Sequence, residues 1–207
     1  MGFSGVIEDS GSLTKTGSGT FIVSGANTYT GITTVSAGVL KAANRIGSAT
    51  GTGAVTVKAG TVGGKGVLAS ATTIGTGSGA GAFLTPSIGA NKPTTLTIQN
   101  ALTFKADGTY SYKLNTKKAK ADQIVANGVT IQSGAQFSFS AVANKRLQGG
   151  QVFSAISNTS ASPISGTFAN LADGSTFTAG HNNFQVNYAG GDGNDLTLTV
   201  VSASGGL

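Results

Sequence analysis

Glycine cuts this chain into short pieces: 33 of its 207 residues are Gly, and almost every stretch of ten contains one. A Gly inside a helix costs roughly 1 kcal/mol relative to Ala. No long apolar stripe of period 3.6 survives the interruptions, so helices are excluded as the main element. Between the glycines run segments of about five residues that alternate apolar and polar and are rich in Thr and Val, the pattern of half-buried strands. The sequence predicts strands over 19–24, 33–37, 39–42, 54–58, 66–69, 94–99, 101–105, 109–114, 123–126, 128–132 and 136–141.

Short strands with frequent turns fit either an antiparallel sandwich or barrel, or a parallel solenoid. Repetition separates the two. S-G-S-L-T-K-T-G-S-G-T, V-S-A-G-V-L-K-A-A-N, V-K-A-G-T-V-G-G-K-G and I-Q-S-G-A-Q-F-S-F each carry a strand, a small-residue and Gly kink, and a second strand. Such a kink turns the chain through a corner without ending the sheet. The expectation is an all-β, right-handed parallel β-helix with coils of roughly 20 to 25 residues stacked at about 4.8 Å, six or seven of them between Ser12 and Ala141. Residues 149–207 have longer alternating segments and more Phe, with strands expected at 151–157, 166–171, 175–180, 183–188 and 196–201. The chain therefore divides into coils over 1–148 and a terminal, capping β segment over 149–207. A β-helix end exposes unpaired backbone and must be covered or joined to another chain.

Hydrophobic residues make up 39% of the chain, which argues for a folded domain. Cys is absent, which removes disulfides, zinc-thiolate sites and thiol nucleophiles together. The net charge of +6 rests on 13 basic residues diluted along the chain against seven acids. Scarcity of acids accounts for that balance, and no basic stripe interleaved with aromatics is visible, so nucleic acid is not an expected partner. The one dense cluster, Lys117, Lys118 and Lys120, is expected to be a solvated loop, with polyanion contact as the second reading. No stretch approaches the ~20 apolar residues of a membrane helix, so insertion of this segment is not expected.

Residues 17–40 read G-S-G-T-F-I-V-S-G-A-N-T-Y-T-G-I-T-T-V-S-A-G-V-L, which closely resembles the autotransporter-associated β-strand repeat, also called the passenger-associated transport repeat. The flanking F-S-G-V-I-E-D-S-G-S-L-T-K-T and the tail F-Q-V-N-Y-A-G-G-D-G-N-D-L-T-L-T-V-V also look like segments of such passengers. The resemblance implies a right-handed β-helix in a large secreted or surface-displayed bacterial protein, with the repeat linked to export. It implies structural roles for the motif: Asn27 and Tyr29 shape the turn between coils, and Gly25, Gly31 and Gly38 form corners. The start M-G-F-S-G has no basic n-region or apolar h-region. With the resemblance, the expectation is a mature segment of a longer exported protein, extracellular or on the cell surface.

Chemistry-bearing residues are few. The acids are Glu8, Asp9, Asp107, Asp122, Asp173, Asp192 and Asp195, mostly in Gly-containing turns, and His181 is the one histidine. A glycan hydrolase or lyase needs carboxylates, or an acid with Arg or Lys, meeting on one face. Asp173 lies 22 positions before Asp195, a spacing near one coil that would permit stacked carboxylates there. One His supports neither a metal pair nor a triad. Residues 190–198, G-G-D-G-N-D-L-T-L, fit the calcium-binding nonapeptide, with Asp192 and Asp195 as candidate ligands. Calcium in such rolls lies between consecutive copies, and one copy is half a site, so a structural turn is expected first. The run 75–82 lacks the G-K-[ST] of a phosphate loop and reads as a flexible corner. Asn127-Gly128 reads as a tight turn.

The sequence thus points to a non-catalytic structural β-helix, self-associating or continuing into neighbouring β-helix segments, with end-to-end fibres one form. A glycan-binding adhesin is the alternative, although Tyr29, Tyr110, Tyr112 and Tyr188 are scattered, and a polysaccharide-degrading enzyme is third.

Overall fold

Three sheets are visited in turn as the chain advances, in a computed structural model that describes residues 1–79, 81–89 and 92–201. The first sheet stacks Gly2–Phe3, Thr20–Val23, Val39–Ala42, Gly60–Gly64, Ala82–Thr85, Gly108–Asn115 and Gln136–Val142. The second stacks Val67–Leu68, Thr95–Ile98, Gln123–Ala126 and Val152–Asn158, and the third stacks Leu13–Lys15, Thr33–Val35, Val55–Val57, Thr72–Ile74, Leu102–Phe104 and Val129–Ile131. All of these neighbours pair parallel. The protein is an all-β parallel β-helix, without helices among the described residues. Parallel crossovers of this kind wind right-handed in nearly all sheets.

Register shows how the coils stack. In the first sheet Gly2 pairs Ile22, Thr20 pairs Val39, Val39 pairs Thr61, Gly60 pairs Ala82, Ala82 pairs Gly108 and Thr109 pairs Gln136. The coil therefore lengthens from about 20 residues to 27 at the last step. The core changes with it. One inward ladder runs Phe21, Leu40, Val62, Leu84, Tyr110, Phe137, and another runs Val35, Val57, Ile74, Phe104, Ile131. Apart from Phe21 and Tyr29, aliphatic residues fill the narrow coils. The wide ones hold an aromatic stack in which Tyr110 meets Phe137 at 5.4 Å and Phe104 meets Phe168 at 5.2 Å between ring centroids.

The two ends differ. Gly2–Phe3 and Leu13–Lys15 pair only toward the body of the rod, and Met1, Phe3 and Val6 are exposed. At the other end Val152–Asn158 pairs parallel with Gln123–Ala126 and antiparallel with Asp195–Val201, and an antiparallel meander follows through Asn182–Gly190 to Thr176–Ala179. Phe139, Phe177 and Phe184 pack together beneath it. Ser165 bridges the last strand of the third sheet, and Asn170 bonds both backbone groups of Phe137 in the first. Parallel pairing thus ends in an antiparallel cover.

Local propensity misplaced some elements. Thr72–Ile74 and Ala82–Thr85 are strands that were not expected, Gly60–Gly64 is the second strand of the V-K-A-G-T-V-G-G-K-G unit, and 166–171 is not a strand. There the chain makes a tight bridge between Phe168 and Leu171, and the Phe168 N–H donates to the Tyr188 hydroxyl at 3.0 Å. The run 75–82 is not a loose corner either. The Asp107 carboxylate accepts the N–H groups of Thr76, Gly77 and Gly79 at 2.9, 2.6 and 2.8 Å. Ala80, within that run, lies outside the described residues, as do residues 202–207 of the terminal segment.

Candidate functional site

Where strands of adjacent coils stop pairing, backbone groups need other partners. The motif supplies them. Asn27 is buried, accepts the Ile7 N–H on Oδ1 at 2.8 Å and donates from Nδ2 to the Ala49 carbonyl at 2.6 Å. One side chain thus ties three successive coils. Tyr29, 1% exposed, shares a hydrogen bond with Thr33 Oγ1, and burial pushes its hydroxyl pKa up. At Gly25 and Gly31 a Cβ would run into the carbonyl oxygens of Gly5 and Gly11, so the closeness of the coils demands glycine. Gly38 turns the corner with φ of +68°.

The same device recurs where the sequence gave no motif. Asn44 accepts the Val67 N–H at 2.9 Å. Asn158 accepts the Gly128 N–H at 3.0 Å, and Asn182 accepts the Leu147 N–H at 2.7 Å while donating to the Lys145 carbonyl at 3.0 Å. Lys15 is buried, and its ammonium donates to the carbonyls of Thr16, Gly17 and, one coil on, Ala37. For the asparagines, a short polar residue at or near a strand end was the available signal. It is too common in turns to be read without the coil register.

The carboxylates are used in this way too. Burial raises Asp107, but the donors Gly77, Thr76 and Gly79 outweigh it and hold its pKa below the usual carboxylate value. The amides that a phosphate loop would aim at its ligand are occupied by the protein's own carboxylate. Asp122 is fully buried, accepting Ser87 Oγ–H at 2.7 Å and the Thr94 N–H at 2.9 Å. Burial raises its pKa, against those bonds and the Lys113 charge. Asp173 accepts the Tyr188 N–H at 2.9 Å, and Asp195 the Asn158 N–H at 2.8 Å. Asp192 lies in the turn between Asn182–Gly190 and Asp195–Val201, Asp195 opens the strand after it, and burial and the Asp192 charge raise Asp195 against the Asn158 bond. No group of three His, Asp or Glu placed to hold a metal exists among the described residues. His181 is exposed in the turn before Asn182, its N–H on Asn144 Oδ1 at 3.1 Å.

All four tyrosines are buried rather than aligned on a surface. Tyr110 donates to the Ala155 carbonyl at 2.9 Å and Tyr188 to Leu171 at 2.9 Å. Burial, helped by the Asp173 charge and opposed by the bond from Phe168, pushes the Tyr188 pKa up to about 12.

A parallel β-helix held by inter-coil clamps and closed by an antiparallel meander is the class of protein that fold and site define. Residues 13–42 match the family model of the passenger-associated-transport-repeat, a span that includes Asn27, Tyr29 and all three motif glycines. No curated protein matches the chain. The matched repeat associates the chain with autotransporter passengers.

Proposed function

We propose that this protein is a non-catalytic structural β-helix of a secreted or surface-displayed bacterial protein. The observation that carries the reading is the use made of its polar side chains. Asn27, Asn44, Asn158 and Asn182, with Asp107, Asp122, Asp173 and Asp195, bond backbone N–H groups. A carboxylate so engaged is a poor general base, because it must give up those bonds to take a proton. The repeat match supports export to the surface.

The unpaired rung at Gly2–Phe3 and Leu13–Lys15 favours association at that end, in parallel with a coil of a neighbouring β-helix segment or in antiparallel with the same rung of a second copy. The other end is covered, so copies meeting through their open rungs give a closed pair, whereas fibres require the cover to yield. Sedimentation over a range of concentrations tests this. Association that Phe3→Lys abolishes is the expected result, and a wild-type monomer at high concentration overturns it. Cleavage of pectin or related polymers by the purified protein, lost in Asp192→Asn with Asp195→Asn, would overturn the non-catalytic reading.

A further inference from the structure

Basic residues are scattered along the sequence but not around the rod. The corner leading from the first sheet to the second carries Arg45 in one coil, Lys65 in the next and Lys92 in the third. Lys117, Lys118 and Lys120 follow in the fourth, and Lys145 with Arg146 in the fifth, all of them exposed. Hydrogen bonds hold these turns one above another. Lys65 N–H donates to the Ala42 carbonyl at 3.1 Å, Gly64 N–H to Pro86 at 3.1 Å, Gln123 N–H to Thr94 at 3.1 Å, and Lys145 N–H to Thr116 Oγ1 at 2.9 Å. With coils about 4.8 Å apart, the basic edge runs roughly 20 Å along the axis.

The other corners differ. The turns from the second sheet to the third contain no Lys or Arg, and the corner from the third to the first has Lys15 at its strand end, buried on carbonyls, and Lys58 and Lys105 just past theirs. Of the acids, only Asp122 belongs to the basic edge, and it lies beneath the surface, bonded to Ser87 and Thr94. Lys41, Lys65 and Lys92 border a concavity of about 320 Å³ whose apolar wall is Pro86, Ile88 and Pro93. Further along, Arg146 and His181 border a second of about 440 Å³ floored by Leu147.

We infer that this edge binds a linear acidic polysaccharide laid along the rod axis, with carboxylates or sulfates on successive sugars facing successive coils. The concavities suit the shape of sugar rings, and the apolar wall of the first suits a ring face. Duplex DNA carries a charge every ~1.7 Å of axis, several for each coil step, a density this edge does not match. The exposed Phe3 and Phe83 lie within the first sheet, so bases find no stacking platform at the corner. The inference is independent of the scaffold and of its mode of association.

The test is fluorescence anisotropy with a short labelled polygalacturonate at low and physiological salt. Two double variants of equal net charge are compared, Lys65→Gln with Lys118→Gln on the edge and Lys58→Gln with Lys105→Gln on the other corner. Expected are wild-type binding that weakens with salt, a loss of about tenfold in the edge variant, and a change within about twofold in the other. Both variants should keep the wild-type melting temperature. Equal losses in the two variants, no binding by the wild type, or equal or tighter binding of a duplex DNA of the same length overturns the assignment.

Discussion

Asn27 Nδ2 lies 2.6 Å from the carbonyl oxygen of Ala49, one coil further on, while its Oδ1 receives Ile7 from the coil before. Truncating it leaves a buried N–H and a buried carbonyl without partners, each worth about 1–3 kcal/mol. Asn27→Ala is expected to destabilise the protein by about 2–4 kcal/mol in urea unfolding. Asn100→Ala, which removes an exposed bond to the adjacent Ala101 N–H, should cost no more than about 0.5 kcal/mol.

Glycine is required for two different reasons, and substitution separates them. Gly128 has φ of +95° with open space around it, so Gly128→Ala should cost about 1–2 kcal/mol in backbone strain and disturb nothing nearby. Gly25→Ala instead thrusts a methyl group into Gly5 and must displace the first coil. Hydrogen exchange should then quicken at Thr28 and Thr30, whose N–H groups bond Ile7 and Asp9 in that coil. Unchanged protection there contradicts the close-approach account.

Asp122 makes stability depend on pH with a definite sign. Burial raises its pKa in the folded state, so on raising pH the unfolded chain loses this proton first, and folding weakens through the window between the two values. Asp122→Asn keeps an acceptor for Thr94 and gives Ser87 a donor. The variant should gain in melting temperature over the wild type as pH climbs through the carboxylate range. A difference independent of pH rules out a raised Asp122. Asp107 works oppositely: its lowered pKa gives stability above the ordinary carboxylate value that is lost as pH falls through the folded one.

For the turn holding Asp192 and Asp195, thermal melting in millimolar calcium and in chelator should coincide, because one Asp195 oxygen is already committed to Asn158. A ligand that binds only the folded state raises stability by RT ln(1 + [L]/Kd), so a clear upward shift in calcium would place an ion there.

Much of the coil architecture was legible in the residues. Strands expected at 39–42 and 123–126 have those bounds, with Leu40 and Ala42, and Ile124 and Ala126, buried at every second position. Ala82–Thr85 was not legible, since it follows directly on the Gly-rich run 75–82 and is held extended by partners on both sides. The strand expected at 166–171 failed for the opposite reason, an alternating pattern overruled by the Tyr188 hydroxyl and by Asn170 reaching Phe137. The motif residues could be named, but not that Asn27 reaches both ways along the rod. The basic edge was invisible for a simpler reason. Arg45, Lys65 and Lys92 are 20 or more positions apart, and only the coil step brings them together.

Because the strands run around the rod, the hydrogen bonds between coils point along its length. A pull applied to the two ends therefore loads these bonds in line, not in shear, and meets them one coil at a time. Such a rod would pay out under tension in a train of small yields, each releasing the 20 to 27 residues of one coil, before the antiparallel meander is strained. A rod that gives way in this manner takes up extension as a shock absorber does.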